Sequence, residues 1–298
     1  MFTLAVMKIQ LLSDLHLEVH PQFVAEPAPG ADVLVLAGDI GAYQSRHQVD
    51  GENFGLERFS PLSQYAGWPV PVLFVPGNHE YDMQDFDTAR ERLQRICERL
   101  GLIWLDRETA VLDGVRFIGT TLWSDFDAMA MHEGVTDTTR LHLLREKAFR
   151  AANFYLSKTG GTRHGEPFLA EPMREECLRC QDWLRAALAR PFDGPTVAIT
   201  HFAPSLRSAD PRYGLAPGTA GFCNVMDDWL PHADLWLHGH LHCPSDYLAQ
   251  GLRPDGSAWQ CRVVANPLGY ARKGEQEGFR PASTIDLRQS KDPARRTP

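Results

Sequence analysis

Short runs of apolar and β-branched residues recur along the chain, at Val6 to Leu12, Val33 to Ala37, Val72 to Val75, Val115 to Thr120, Thr196 to Thr200, Leu235 to Leu237 and Cys261 to Ala265. Runs this short and this continuously apolar predict strands buried on both faces. Asp113-Gly114 lies between VL and VRFIG, and Asp255-Gly256 between YLAQG and AWQCRVV, so each predicts a hairpin turn. Some strands are therefore antiparallel and the sheets mixed. The period changes to 3.6 from about Asp85 to Leu100, where Phe86, Ala89, Leu93, Ile96 and Leu100 share a face and Gly101 follows as a stop.

Between Asp125 and Pro195 the strand pattern is interrupted. A helix is expected near Arg140 to Leu156, with Leu141, Leu144, Ala148, Ala151 and Tyr155 on one face. A TGGTRHGE turn, expected to be flexible, separates it from a second helix striped by Met173, Cys177, Cys180, Leu184 and Ala187. We read residues 125–195 as a helical insertion capping a site, inside a single domain spanning 1–298. No internal repeat or low-complexity tract breaks this plan, and the RQSKDPARRTP tail reads as a frayed, solvated end.

Composition narrows the class. The 298 residues are 43% hydrophobic and 23% charged, enough to bury a large core. The net charge of -8 argues against a broad basic surface for a nucleic-acid backbone, so nucleic acid is a disfavoured partner. No stretch approaches the ~20 apolar residues of a membrane span, so no membrane partner is expected. The FTLAVMKIQLL start lacks a basic flank and a cleavage site and runs without a break into Asp14, while Met7 opens a natural MKIQLLSDLH strand. The six cysteines are dispersed in a chain too large to need staples and read as thiols of a reducing, cytoplasmic compartment. Cys177 and Cys180 form a lone C-x-x-C on the apolar stripe of a helix, which favours packing over zinc or redox chemistry.

The polar residues with chemistry to offer gather where strands end: Asp14-Leu15-His16, Gly38-Asp39, Gly77-Asn78-His79-Glu80, Thr200-His201 and Gly239-His240-Leu241-His242. Strand ends are where α/β sheets place their sites. Donors at alternate positions, as in Asp14/His16 and His240/His242, can serve one ion or each of two neighbours. Carboxylate oxygen mixed with imidazole nitrogen suits Mn, Fe or Zn and not a soft thiolate site, and an Asn donor such as Asn78 fits a dinuclear site better than a mononuclear zinc site. Each piece alone is weak, because a lone histidine after a strand is more often a hydrogen-bonded loop residue. His20, His47, His132, His142, His164 and His232 fall outside the pattern and read mostly as surface residues.

At these five motifs the sequence resembles the calcineurin-like metallophosphoesterase superfamily, whose pattern is D-x-H, G-D, G-N-H-[D/E], a later H, and G-H-x-H. The resemblance spans about Met7 to Asn266. It implies an α/β, four-layer αββα sandwich of two mixed sheets flanked by helices, with two divalent or transition metal ions (Mn, Fe, Zn or Ni) at the strand ends. Carried over residue by residue, it implies Asp14, His16, Asp39 and His242 for one metal and Asp39, Asn78, His201 and His240 for the other, with Asp39 bridging and catalytically essential. Two cations about 3.5–4 Å apart would share and acidify a water, giving a bridging hydroxide that attacks phosphorus in line. His79 would stabilise the transition state or protonate the leaving oxygen.

Departures from relatives narrow the branch. Protein serine/threonine phosphatases carry Asp-Arg-Gly after G-D, whereas this chain reads GDIGAYQ. Purple acid phosphatases have a Tyr ligand where Ala42 stands, and Gly at the position of His16. What remains is the D-x-H branch, and the expected activity is hydrolysis of small-molecule phosphodiesters or phosphomonoesters. The alternatives are a nuclease of the same superfamily and a non-catalytic scaffold, though a scaffold has no reason to retain every ligand and His79. Substrate choice is sought in Tyr81, Trp123, the Asn266 to Tyr270 turn, Arg207 and Arg212. For Trp123 and Tyr270 a core-capping role is at least as good a reading, and for the two arginines a solvated loop is. Oligomeric state is not legible in the chain.

Overall fold

The computed structural model describes residues 6–43 and 53–288. The readings of residues 1–5, of His47 and of the tail beyond Arg288 lie outside them. Every apolar run forms a strand. The first sheet holds β1 (Val6–Leu12), β2 (Val33–Ala37), β3 (Val72–Val75), β4 (Ile103–Trp104) and, antiparallel to β1, the last strand Thr284–Arg288. The second holds β5 (Glu108–Leu112), β6 (Val115–Thr120), β9 (Thr196–Thr200), β10 (Leu235–His238), β11 (Ser245–Leu252) and β12 (Ala258–Ala265), in the order β11-β12-β10-β9-β6-β5. Both expected hairpins form, β5 with β6 and β11 with β12, while β6, β9, β10 and β12 run parallel.

The layering follows from the two-residue period of the strands. In β2, Val33, Val35 and Ala37 face Val115, Phe117, Val197, Ile199, Leu235 and Leu237 of the other sheet, forming the inner layer of the sandwich. Leu34 and Leu36 point the other way, into the cluster that includes Phe86, Ala89, Leu93, Ile96 and Leu100 of α1 (Phe86–Leu100). Asp85 caps that helix by accepting the Thr88 amide, and Gly101 ends it at φ 69°. The outer face of the second sheet is covered by the helix Ala170–Leu188, whose Met173, Cys177, Cys180, Leu184 and Ala187 are buried as the stripe predicts. The architecture is the αββα sandwich of two mixed sheets.

Residues 125–195 therefore divide into two parts. The helix Ala170–Leu188 is a layer of the sandwich, on the crossover between parallel β6 and β9. The rest is two helices, α2 (Ala128–His132) and α3 (Thr138–Leu156), followed by a hairpin of β7 (Thr162–Arg163) and β8 (Glu166–Pro167). That hairpin corrects the expectation of a flexible TGGTRHGE turn. The α3 face is also narrower than expected: Ala148 is buried, but Tyr155 is 65% exposed. The helix packs on the turn Pro217–Gly221, on α2 and on the helix Ala170–Leu188 rather than on a sheet, so fewer of its positions need be apolar.

Five of the six cysteines are buried and all six are unpaired. Burial pushes the Cys177 and Cys180 thiols well up, which suppresses the reactive thiolate. A native thiol titration with Ellman's reagent should label Cys243 alone, with the other five reacting only on unfolding; rapid labelling of Cys177 or Cys180 would contradict the packing role.

Candidate metal centre

Because β1, β2 and β3 are parallel in one sheet, and β9 and β10 in the other, all five motifs leave their strands at the same edge of the sandwich. The chain must then turn sharply to aim side chains back between the sheets. Asp14, His16, Asp39, His240 and His242 all adopt positive φ, from 46° to 71°. Left-handed backbone costs an L-residue roughly 1–2 kcal/mol each. Backbone bonds hold it in place: Asp14 N–H donates to Gly38 O at 2.9 Å, His16 N–H to Asp39 O at 3.0 Å and Gly269 N–H to Asp14 O at 3.0 Å.

Two groups of donor atoms result, each within 4.8 Å: Asp14, His16, Asp39 and His242, and Asp39, His201 and His240. Asp39 belongs to both. Asn78 joins the second group, with its Oδ1 3.2 Å from His201 Nε2. The shared carboxylate is 1% exposed; its Oδ1 accepts the His79 amide at 2.8 Å, while Oδ2 makes no hydrogen bond although His201 Nε2 lies 3.2 Å away. His240 Nε2 is likewise buried without a partner. Buried polar atoms are rarely left unsatisfied, since each costs roughly 1–3 kcal/mol. Two such atoms converging with five further donors fit a cation-binding cradle.

The electrostatics favour positive charge at the same place. Burial alone would lower His201 and His242, but the Asp39 carboxylate beside the first, and Asp14 with Glu275 beside the second, push each up to about 9. Burial would raise Asp39, yet His201 and His79 hold it well below the usual carboxylate range. The carboxylates thus draw protons onto neighbouring imidazoles, and a bound cation would supply the same compensation.

Three of the candidate histidine ligands are oriented by a partner behind the ring. His16 Nδ1 is 3.0 Å from Glu18 Oε1, His242 Nδ1 is 2.6 Å from Glu275 Oε2, and His201 Nδ1 is 2.8 Å from the Ala37 carbonyl. The Asp14 carboxylate accepts the His240 amide at 2.9 and 3.1 Å, a bond that ties the two sheets together. His79 is 23% exposed; its Nδ1 is 2.7 Å from Asp82 Oδ2, its Nε2 has no hydrogen-bond partner among the described residues, and its ring stands edge-on to His16 at 5.0 Å. Glu80 fastens the Gly77 loop to the Asp39 loop by accepting the amides of Gly77, Asp39 and Ile40 at 2.7, 3.0 and 2.7 Å.

All seven expected metal ligands and His79 are therefore brought together. Tyr270 stacks on His16 at 4.5 Å and lines the centre, whereas Trp123 is a core aromatic among Tyr81, Phe86, Phe168 and Phe202. Tyr81 is buried in that same group. Arg212 spends its guanidinium on Asp210 and Arg207 lies over Tyr247, so both are engaged away from the ligands. Glu18, Asp82 and Glu275 escaped the sequence reading. The first two are two and three residues from a motif histidine, a detectable signal; Glu275 is 33 residues from His242 and gives none.

The calcineurin-like phosphoesterase family model matches residues 7–244, which include every one of these ligands. The chain belongs to the calcineurin-like phosphoesterase family. It is a metal-dependent phosphoester hydrolase. An uncharacterised protein of Acanthamoeba polyphaga mimivirus is 25% identical over 270 residues, covering 86% of this chain and 84% of that one. The crystal structure of phosphopantetheinyl hydrolase from Mycobacterium tuberculosis superposes with a TM-score of 0.65 at 19% identity, over 99% of this phosphoesterase and all of that chain, a likeness of fold. Among the described residues no helix is long and apolar enough to cross a membrane.

Gly77 is required by close approach: a Cβ there would overlap Asp39 Oδ1. Gly77→Ala should displace the shared carboxylate and the Asp39 backbone, lowering metal content and activity at least tenfold. Full metal content in this variant, measured by atomic emission, would remove Asp39 from the binding site.

Proposed function

We propose that this phosphoesterase works with two metal ions and hydrolyses small-molecule phosphodiesters or phosphomonoesters in line. Asp14, His16, Asp39 and His242 would hold one ion, and Asp39, Asn78, His201 and His240 the other, with Asp39 between them. The observation that carries the reading is the buried Asp39 carboxylate common to both donor groups, with one oxygen left unbonded. When bound, the ions supply Lewis acidity at the phosphoryl group and acidify water. The chain's own residues do the rest. His79 faces the centre with Asp82 behind it, which fixes the ring orientation and keeps Nε2 directed away from that carboxylate, toward the leaving oxygen of an ester seated between the ligands. Phe222, 41% exposed and 5.1 Å from the His240 ring, offers an apolar surface to the organic part of the ester.

The acidic balance supports a small ester over a long nucleic acid, and the retained ligands with the His79–Asp82 pair count against a scaffold. The unpaired cysteines support a cytoplasmic setting. The substrate panel should span Mn, Fe, Zn and Ni, and compare a phosphomonoester, a simple phosphodiester, cyclic nucleotides, single-stranded DNA and, from the name of the structural neighbour, a phosphopantetheinyl ester.

The decisive comparison is Asp39→Asn with His79→Asn. Losing Asp39 should empty both sites and remove nearly all turnover. Losing His79 should leave metal content intact and cost about 10²–10⁴-fold in kcat, more for an alkoxide leaving group than for an activated nitrophenolate. Equal losses for both esters would make His79 a charge stabiliser, and wild-type activity in Asp39→Asn would overturn the site. Metal content that never exceeds one ion under saturating Mn or Zn would refute the two-ion reading.

Residues 125–195 we read as controlling access from two sides. The hairpin and the turn leading into it brace the segment after His79, with Met83 N–H donating to Thr159 O and Thr162 N–H to Gln84 O, both at 2.9 Å. On the other side α3 packs on Pro217–Gly221, next to Phe222. Shortening the loop at Gly160-Gly161 should change the ratio of kcat/KM between small and bulky phosphodiesters. An unchanged ratio would reduce the insertion to a structural appendage.

A further inference from the structure

The segment that follows β12 contributes to the centre in a way no strand-end motif does, and it lies beyond the residues 7–244 matched by the family. Glu275 Oε2 is 2.6 Å from His242 Nδ1 and also accepts the Tyr270 amide at 2.8 Å. Tyr270 in turn lies flat on His16 at 4.5 Å and edge-on to His242 at 4.9 Å. Lys273 closes the turn, its Nζ 3.7 Å from Glu275 Oε1 and 4.7 Å from the Tyr270 ring. Gly269, at φ 65°, lets the turn pass: a Cβ there would come within 2.8 Å of Glu275 Cβ and 3.1 Å of His242 Cβ. Tyr270 to Glu275 is thus a strap whose two ends touch both histidines of one donor group.

Among the described residues the other donor group has no such strap. In the strapped group both imidazoles are backed by carboxylates, Glu18 behind His16 and Glu275 behind His242. In the second, His201 is backed by the neutral Ala37 carbonyl, and among the described residues no carboxylate is bonded behind Asn78 or His240. A carboxylate behind an imidazole fixes the tautomer and ring orientation and makes the other nitrogen a stronger donor.

We propose that Glu275, held by the Tyr270–Glu275 strap, is a positioning residue that sets the grip of Asp14, His16, Asp39 and His242 on their cation without acting on the other site. The proposal rests on the two-ion reading above. Its test is stepwise Mn and Zn affinity, measured by competition with a chromogenic chelator, in wild type, Glu275→Gln, Glu275→Ala and Gly269→Ala, alongside the melting temperature of each metal-free protein.

Glu275→Gln keeps an acceptor and loses the charge, so one binding step should weaken about tenfold; Glu275→Ala should weaken the same step by up to about 100-fold. The other step should stay within twofold in both, and the metal-free melting temperature within a few degrees. Gly269→Ala, which keeps the Glu275 carboxylate but crowds it and His242 apart, should weaken that same step. Unchanged affinities in Glu275→Ala, or equal weakening of both steps, would overturn the proposal. A wild type that saturates at one ion would defeat the two-ion reading instead, and Glu275 would then stand or fall on that single step. Should Glu275→Ala fail to fold, the glutamine and Gly269 variants decide by the same criterion.

Discussion

Asp39 sits at 1% exposure with one carboxylate oxygen bonded to a backbone amide and the other to nothing. An ionised carboxylate taken out of water is costly unless positive charge or donors surround it. Around Asp39 the compensation comes from three imidazoles, of His16, His79 and His201, brought from three separate strand ends. The rest of the architecture can be read as the means of keeping them there. The parallel register places the ends together, and the inner apolar layer holds the sheets at a fixed separation. Asp14 then pins His240 across the gap.

The same demand explains the backbone. Five candidate ligands in left-handed conformation represent several kcal/mol of local cost, at about 1–2 kcal/mol per residue. Such strain persists only where the surroundings over-determine it. Here they do so through short loops bonded to one another, with Glu80 drawing three amides of two loops onto one carboxylate. Gly38 and Gly77 remove the side chains that would otherwise keep those loops apart. Stability in the core is therefore spent on a rigid cradle whose loops fasten one another.

Much of this was legible in the chain because the information is local. Each motif directly follows an apolar run, and a strand whose end is known places the next two or three residues. The stripe of the Cys177 helix was equally legible, since its neighbour is a continuous sheet. Reading failed where the partner is set by tertiary packing. Tyr155 lies on the expected face of α3, but that helix packs on a turn and two helices and on no sheet, so the position stays exposed. The 162–167 hairpin is too short to show a strand period. Glu275 reaches His242 only because β12 returns the chain to the same edge, a fact of topology that no spacing rule encodes.

That contrast divides the molecule's chemistry in two. The donors themselves are dictated by strand ends, so any chain folding this way with these motifs would present them. What surrounds them comes from connections: the strap after β12 beside one donor group, Phe222 and the Pro217–Gly221 turn beside the other, and the hairpin behind the His79 loop. Connections tolerate change better than strands do, because their residues are not bound to a shared hydrogen-bond register. A reaction common to the family and a selectivity particular to this chain can therefore occupy one site without conflict. The first depends on Asp39 and its imidazoles, and the second on the segments around them, of which the strap after β12 serves both by holding His242.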